Sequence, residues 1–199
     1  MLIHDLGSGP AVVCLHDAAE TGGSYVALME RLCPRYRVLV PELPPGASVD
    51  AVAALLEDAL ADRALTRLHA IVGTGTGAYR ALHLALWRHI AVDTLVLLDA
   101  AVTAPALAAS GPVPNLKALL SRLSAQVYLR VGEHGDRAGS EVIAAATGAP
   151  LEIVRGHGSA LLAHDGLATI AAVTAAIDDS LSERHDEPPP RLSFRQPTG

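Results

Sequence analysis

The sequence has few aromatic residues and no concentration of positive charge, and each shortage excludes a class of partner. Phe, Trp and Tyr make up 3% of the 199 residues, so a surface of stacking rings is not expected. The net charge is −6 and the Lys and Arg residues are scattered, which argues against nucleic acids and anionic membranes as partners. We therefore expect a small-molecule partner.

Targeting segments and disulfide patterns are also missing. Met1 to Asp5 has no basic flank, and no apolar run is long enough to span a membrane. The two cysteines, Cys14 and Cys33, fall in a predicted buried strand and at a predicted helix end. We expect two reduced thiols in a cytoplasmic protein.

Predicted strands and helices alternate along most of the chain. This order predicts an α/β fold with a mostly parallel sheet and helices on both faces, whose sites lie beyond the carboxyl ends of the strands. Half of the residues are hydrophobic, enough for one core, and we place a single domain at residues 1–181. Residues 182–199 carry charges and a run of three prolines, and we expect a disordered or loosely packed tail.

A glycine-rich turn, Gly73-Thr74-Gly75-Thr76-Gly77, connects a predicted strand to a predicted helix over residues 76–90. Two kinds of site use such a turn. As a nucleophile elbow it has Gly75 where the nucleophile should be. As a dinucleotide fingerprint it has Asp99 near the expected acidic position. The fingerprint belongs in the first strand-to-helix turn, whereas this turn follows two earlier strands, which disfavours a nucleotide cofactor.

Several segments in the same order resemble the α/β-hydrolase superfamily. Residues 5–16 (DLGSGPAVVCLH) and 36–44 (YRVLVPELP) are similar to its opening segments, and residues 95–100, 131–136 and 156–157 fall where it has its sixth strand, its acid loop and its catalytic histidine. The resemblance implies the α/β-hydrolase fold. Too little chain separates Asp99 from Gln126 for the usual helical lid, so we expect a minimal cap or none, with at most residues 100–114 over the pocket.

The resemblance also implies the candidate site residues. His157 falls at the general-base position, and Asp136 is either its partner or a helix N-cap. His16 is structural in many relatives but could exchange a proton beside Asp17, which replaces a glycine near the oxyanion hole. The candidate catalytic residues are His157, Asp136, His16 and Asp17. The candidate substrate contacts are Ala18, Gly75, Thr76, Asp99 and His134.

The missing side chain at Gly75 excludes an acyl-enzyme, so we expect acid/base catalysis without metal or cofactor. The reaction would be a cyclisation, dehydration, isomerisation or carbon–carbon cleavage of a small carbonyl compound in secondary metabolism, and an open pocket suits a carrier-tethered substrate. The alternatives are ester or thioester hydrolysis by water that His157 activates, and a catalytically silent protein that binds a ligand or partner. For Thr74 and Thr76 we predict helix capping. The sequence leaves the oligomeric state open.

Overall fold

The computed structural model describes residues 1–87, 90–102 and 112–185. Within these ranges, seven strands and six α-helices follow one another. The strands are β1 (Ile3–Leu6), β2 (Ala11–Leu15), β3 (Arg37–Pro41), β4 (Arg67–Thr74), β5 (Ala91–Leu98), β6 (Gln126–Gly132) and β7 (Leu151–Val154). The α-helices are α1 (Val26–Leu32), α2 (Val49–Ala61), α3 (Thr76–Trp87), α4 (Arg137–Thr147), α5 (Leu161–His164) and α6 (Gly166–His185). Among the described residues, Gly22–Tyr25 and Leu116–Arg122 form 3₁₀ helices.

The strands form one sheet in the order β1-β3-β2-β4-β5-β6-β7. β1 runs antiparallel to β3, and the other six strands pair in parallel. The predicted α/β architecture is therefore confirmed. Parallel strands place their carboxyl ends at one edge, where β2 and β4 lie side by side.

Helices cover both faces of the sheet, and β2 shows how the sequence dictates this. All five of its residues are buried, with Val13 and Leu15 packed among the side chains of α2 and α3 on one face. Val12 and Cys14 pack on the other face with α1 and α6. A strand buried on both faces is a continuous apolar run because neither set of alternate side chains meets water.

Element boundaries differ from the sequence-based expectation mainly near the carboxyl terminus. The segment after β7 forms two helices, because Asp165 leaves the helical conformation between α5 and α6. The Asp165 carboxylate instead accepts a hydrogen bond from Arg130 at 2.8 Å. α6 continues to His185, past the proposed domain boundary at residue 181, and residues 186–199 of the predicted tail lie outside the described residues.

Both cysteines are free, as predicted, with Cys14 buried in β2 and Cys33 at the end of α1. Burial raises the pKa of the Cys14 thiol well above its usual range, so this thiol is unreactive. Within the described ranges, no helix combines the length and apolarity needed to cross a bilayer. Residues 103–111, the middle of the segment predicted to cover the pocket, lie outside the described residues.

Candidate active site

The glycine-rich turn forms a tight corner between β4 and α3. Gly75 has φ of +51°, in the left-handed region, and its N–H donates to the Leu98 carbonyl at 2.9 Å. At Gly77 an added Cβ would lie 1.9 Å from the Leu15 carbonyl oxygen. A side chain at residue 77 would therefore push α3 away from β2, and glycine allows the close approach that the corner needs.

The carboxylate of Asp17 occupies the space above Gly75. Its Oδ2 accepts a hydrogen bond from the Thr76 N–H at 2.8 Å, and its Oδ1 accepts one from the Ala19 N–H at 3.0 Å. A Cβ built on Gly75 would lie 1.9 Å from this Oδ2, far inside van der Waals contact. The Asp17 carboxylate can therefore occupy this place only because residue 75 has no side chain.

Two threonine hydroxyls tie the loop after β2 to the elbow. The Asp17 N–H donates to Thr74 Oγ1 at 3.1 Å, and the Ala18 N–H donates to Thr76 Oγ1 at 2.7 Å. These hydroxyls bind this loop rather than serving as the predicted helix caps. The N–H after the elbow apex and one from the facing loop are the two donors of an oxyanion hole in this arrangement. In this protein the Thr76 N–H already donates to the Asp17 carboxylate, and the Ala18 N–H already donates to the Thr76 hydroxyl.

His16 packs beneath this loop, and its exchange of a proton with a substrate stays a prediction. The ring is 2% exposed, and Nε2 accepts a hydrogen bond from the Leu43 N–H at 3.2 Å. Nδ1 then carries the proton and donates to the Asp17 carbonyl at 2.7 Å. Because backbone groups bond to both nitrogens, the ring holds Asp17 in position.

His16→Ala should lower the free energy of unfolding by about 2–3 kcal/mol, since it leaves a cavity and two backbone groups without their partner. Urea denaturation measures this loss. His16→Asn, whose amide has both a donor and an acceptor, should recover part of it. A loss below about 0.5 kcal/mol for the Ala variant would contradict the positioning role.

A cavity of about 220 Å³ opens beside the elbow at the carboxyl edge of the sheet. Its walls include three carboxyl groups, from Asp17, Glu20 and Asp99, together with Gly75 and residues 159–160. The buried Oε2 of Glu20 has no hydrogen-bond partner in the part of the chain that the structure describes. The cavity is therefore the place where a ligand would meet the elbow.

Asp99 organises the far wall of this cavity. Its Oδ1 accepts a hydrogen bond from the Gly132 N–H at 3.0 Å, and it also accepts from the N–H groups of Ala160 and Leu161. Burial is the largest influence on this carboxyl and raises its pKa above the ordinary 3.8. Asp99 thus binds the N–H groups of two loops, and its place in the cavity wall keeps it a candidate substrate contact.

The candidates from the two loops after β6 and β7 do not line this cavity, although the charge of Asp136 is close enough to raise the pKa of Asp99. The Asp136 Oδ1 accepts a hydrogen bond from the Gly139 N–H at 3.2 Å, so Asp136 is the N-cap of α4. The helix cap was one of the two roles predicted for this residue. The His157 carbonyl accepts from the His134 N–H at 3.0 Å, while the His134 side chain is exposed. None of the three lines the cavity beside Gly75. Catalysis by His157 stays a prediction.

Sequence reasoning missed Glu20, Ser159 and Ala160 as cavity residues. Ala160 has φ of +66°, and α5 begins only after it. Asp99 holds this turn through the Ala160 N–H. No local pattern signals such a contact, because the two residues are far apart in sequence. Within the described ranges, no group of three or more His, Cys, Asp or Glu side chains could hold a metal ion.

Comparison with known proteins identifies the fold. No family model matches the sequence. A thermophilic esterase from Thermogutta terrifontis superposes with a TM-score of 0.80 at 17% identity, covering 90% of this chain and 93% of the esterase. A carboxylesterase structure from Nitrososphaera gargenis gives a TM-score of 0.81 at 11% identity, covering 92% and 95% of the two chains.

The chain has an α/β-hydrolase fold. A curated relative, the pimeloyl-[acyl-carrier protein] methyl ester esterase of Xanthomonas campestris, is 35% identical over 106 residues. The matched segment covers 53% of this chain and 36% of the esterase, which is about a third of the esterase's length. At these levels of similarity the comparisons establish the fold and do not establish the activity.

Proposed function

We propose that the protein catalyses a proton transfer on a small carbonyl compound, without a covalent intermediate or cofactor, and that Asp17 is the general base. The observation that carries this proposal is the position of Asp17 Oδ2. It lies 1.9 Å from where the Cβ of residue 75 would be, next to the place of a nucleophile's oxygen. The protein thus presents a carboxylate at the apex, supplied by the facing loop.

Hydrogen bonds hold the Asp17 carboxylate in a fixed position at the cavity. The Thr76 and Ala19 N–H groups fix the orientation of the carboxylate, and it forms part of the cavity wall. A carbonyl compound in that cavity would place a neighbouring C–H bond within reach of Oδ2. Loss of this proton generates an enolate, the common first step of isomerisation, dehydration, cyclisation and some carbon–carbon cleavages.

An ester or thioester hydrolase is the second candidate, because the similar proteins include esterases. The relative from Xanthomonas acts on an acyl-carrier-protein ester, which supports a carrier-tethered substrate here as well. The occupied Thr76 and Ala18 N–H groups weigh against hydrolysis, since a tetrahedral intermediate needs those donors. Turnover in ¹⁸O-labelled water separates the candidates, because hydrolysis alone places solvent oxygen in a carboxylate product.

A catalytically silent ligand-binding protein is the third candidate. Its support is that the Asp136 side chain caps α4 and that His157 is not among the residues lining the cavity. Such a protein would bind small molecules in the cavity and leave them unchanged.

The test is hydrogen–deuterium exchange next to the carbonyl group in a panel of small ketones and thioesters, followed by NMR in D₂O. Asp17→Asn, which keeps the size and an acceptor oxygen, should lower the exchange rate constant by about 100-fold. His157→Ala should leave it within about threefold of the wild type. Loss of exchange in the His157 variant alone would show that His157, and not Asp17, is the base. A wild type that exchanges no protons would favour the catalytically silent protein.

A further inference from the structure

A second cavity lies between the sheet and α6. Its volume is about 150 Å³, and among the described residues it shares no lining residue with the cavity beside Gly75. Most of its wall is apolar, with Val96 and Leu98 from β5 facing Val173 and Ala176 from α6. An apolar cavity of about this volume can hold a benzene ring. The cavity is therefore large enough for a small ring compound.

Arg130 of β6 is a buried cation in the wall of this cavity. The residue is 8% exposed. Its Nη1 donates to Glu152 at 2.5 Å and its Nη2 donates to Asp165 at 2.8 Å, so two carboxylates fix the plane of the guanidinium. Its Nε is buried and makes no hydrogen bond within the described ranges of the chain. A buried N–H group without an acceptor is costly, and a ligand that brings an acceptor removes this cost.

The charges around Arg130 indicate which kind of acceptor suits the Nε–H group. The guanidinium carries one positive charge, whereas the carboxylates of Glu152 and Asp165 together carry two negative charges. This group of three side chains is therefore net negative, and it would repel an anion that entered the cavity. A neutral acceptor, such as the nitrogen of a nitrile or the oxygen of an ether or ester, takes the hydrogen bond without adding charge.

We propose that this cavity binds a neutral small molecule that has an apolar ring and one hydrogen-bond acceptor. The ring fills the apolar space between β5 and α6, and the acceptor bonds to the Nε–H of Arg130. The Glu152 side chain, which is 58% exposed, marks where the cavity meets solvent and a ligand enters. This site is separate from the cavity beside Gly75, so the inference does not depend on the proposed function.

The first test compares two ligands of nearly the same shape. Benzonitrile has a ring and a nitrile acceptor but no carbonyl group, so it is not a substrate for the proposed proton transfer. Phenylacetylene replaces the nitrile nitrogen with a C–H group and offers no comparable acceptor. Calorimetric titration should show that benzonitrile binds about tenfold more tightly than phenylacetylene. Benzoate, which adds a negative charge, should bind at least about tenfold more weakly than benzonitrile. Equal affinities for benzonitrile and phenylacetylene would refute the hydrogen bond.

A matched pair of variants in α6 locates the ligand. Ala176→Leu adds three carbon atoms to the wall of the cavity and should weaken benzonitrile binding by at least about 20-fold, because the ring loses its space. Ala175→Leu makes the same change at the neighbouring exposed position and should leave the affinity within about twofold. Thermal unfolding confirms that both variants are folded. Unchanged binding in a folded Ala176→Leu variant would refute the inference.

Arg130→Lys tests the proposed donor. Lysine keeps a cation for Glu152 and Asp165 but has no Nε–H group. The variant should bind benzonitrile about tenfold more weakly and phenylacetylene within about twofold of the wild type. The nitrile stretching band lies at higher frequency when the nitrogen accepts a hydrogen bond, so the band of bound benzonitrile should move to lower frequency in the variant. An unchanged band and an unchanged affinity would refute the role of Arg130, and the ligand pair tests the same bond in the wild type.

Discussion

Gly75→Ala is expected to lower the free energy of unfolding by about 3 kcal/mol, an unusually large effect for adding one methyl group. The new Cβ would lie 1.9 Å from Asp17 Oδ2, so the carboxylate must leave its place. It then loses the hydrogen bonds from Thr76 and Ala19, and a non-glycine residue at φ of +51° adds backbone strain. Urea denaturation of the purified variant measures the loss.

A double-mutant cycle isolates the steric conflict from the backbone strain. Asp17→Ala alone should cost about 1–2 kcal/mol, because two N–H groups lose their acceptor. The Asp17→Ala/Gly75→Ala variant has no carboxylate to displace, so its loss should be smaller than the sum of the single losses by about 2 kcal/mol. Additive losses would show that the carboxylate does not occupy the space above Gly75.

Asp99→Ala should be the most destabilising single substitution at the site, with an expected loss of about 3–5 kcal/mol. The carboxyl of Asp99 is the common acceptor for three N–H groups, those of Gly132, Ala160 and Leu161. Asp99 also has φ of +52°, which aspartate and asparagine tolerate better than alanine. Asp99→Asn is the matched control, with an expected loss of about 1 kcal/mol.

The raised pKa of Asp99 gives the stability of the wild type a defined pH dependence. Because the pKa in the folded protein lies above the ordinary 3.8, folding favours the protonated carboxyl. Its contribution is fully present below pH 3.8 and is lost as the pH rises through the folded-state value. The advantage of the wild type over Asp99→Asn in unfolding free energy should therefore shrink as the pH rises from about 3.8. An advantage that grows over this range would contradict the direction of the shift.

The fold could be predicted from the sequence because it depends on local patterns of apolar residues and turns. Apolar runs such as residues 11–15 predict strands buried on both faces, and the turn at residues 73–77 predicts a strand-to-helix corner. The order of similar segments predicted the α/β-hydrolase fold. These features need only short stretches of neighbouring residues, which a single sequence displays.

The candidate site was accessible only in part, because it depends on which distant side chains meet. Asp17 was recognised as unusual beside Gly75, but that it fills the space above the glycine follows only from the three-dimensional arrangement. The sequence left the role of Asp136 open between helix cap and catalytic partner, and the hydrogen bond to Gly139 shows the cap.

Amide hydrogen exchange at Thr76, followed by NMR, tests most directly whether the Asp17 carboxylate fills the elbow. In the wild type the Thr76 N–H donates to Asp17 Oδ2 at 2.8 Å, so it should be protected, and the Ala19 N–H should be protected as well. In Asp17→Ala both amides should exchange much faster, while amides within β4 keep their protection. A Thr76 amide that exchanges equally fast in the wild type and in Asp17→Ala would contradict the account.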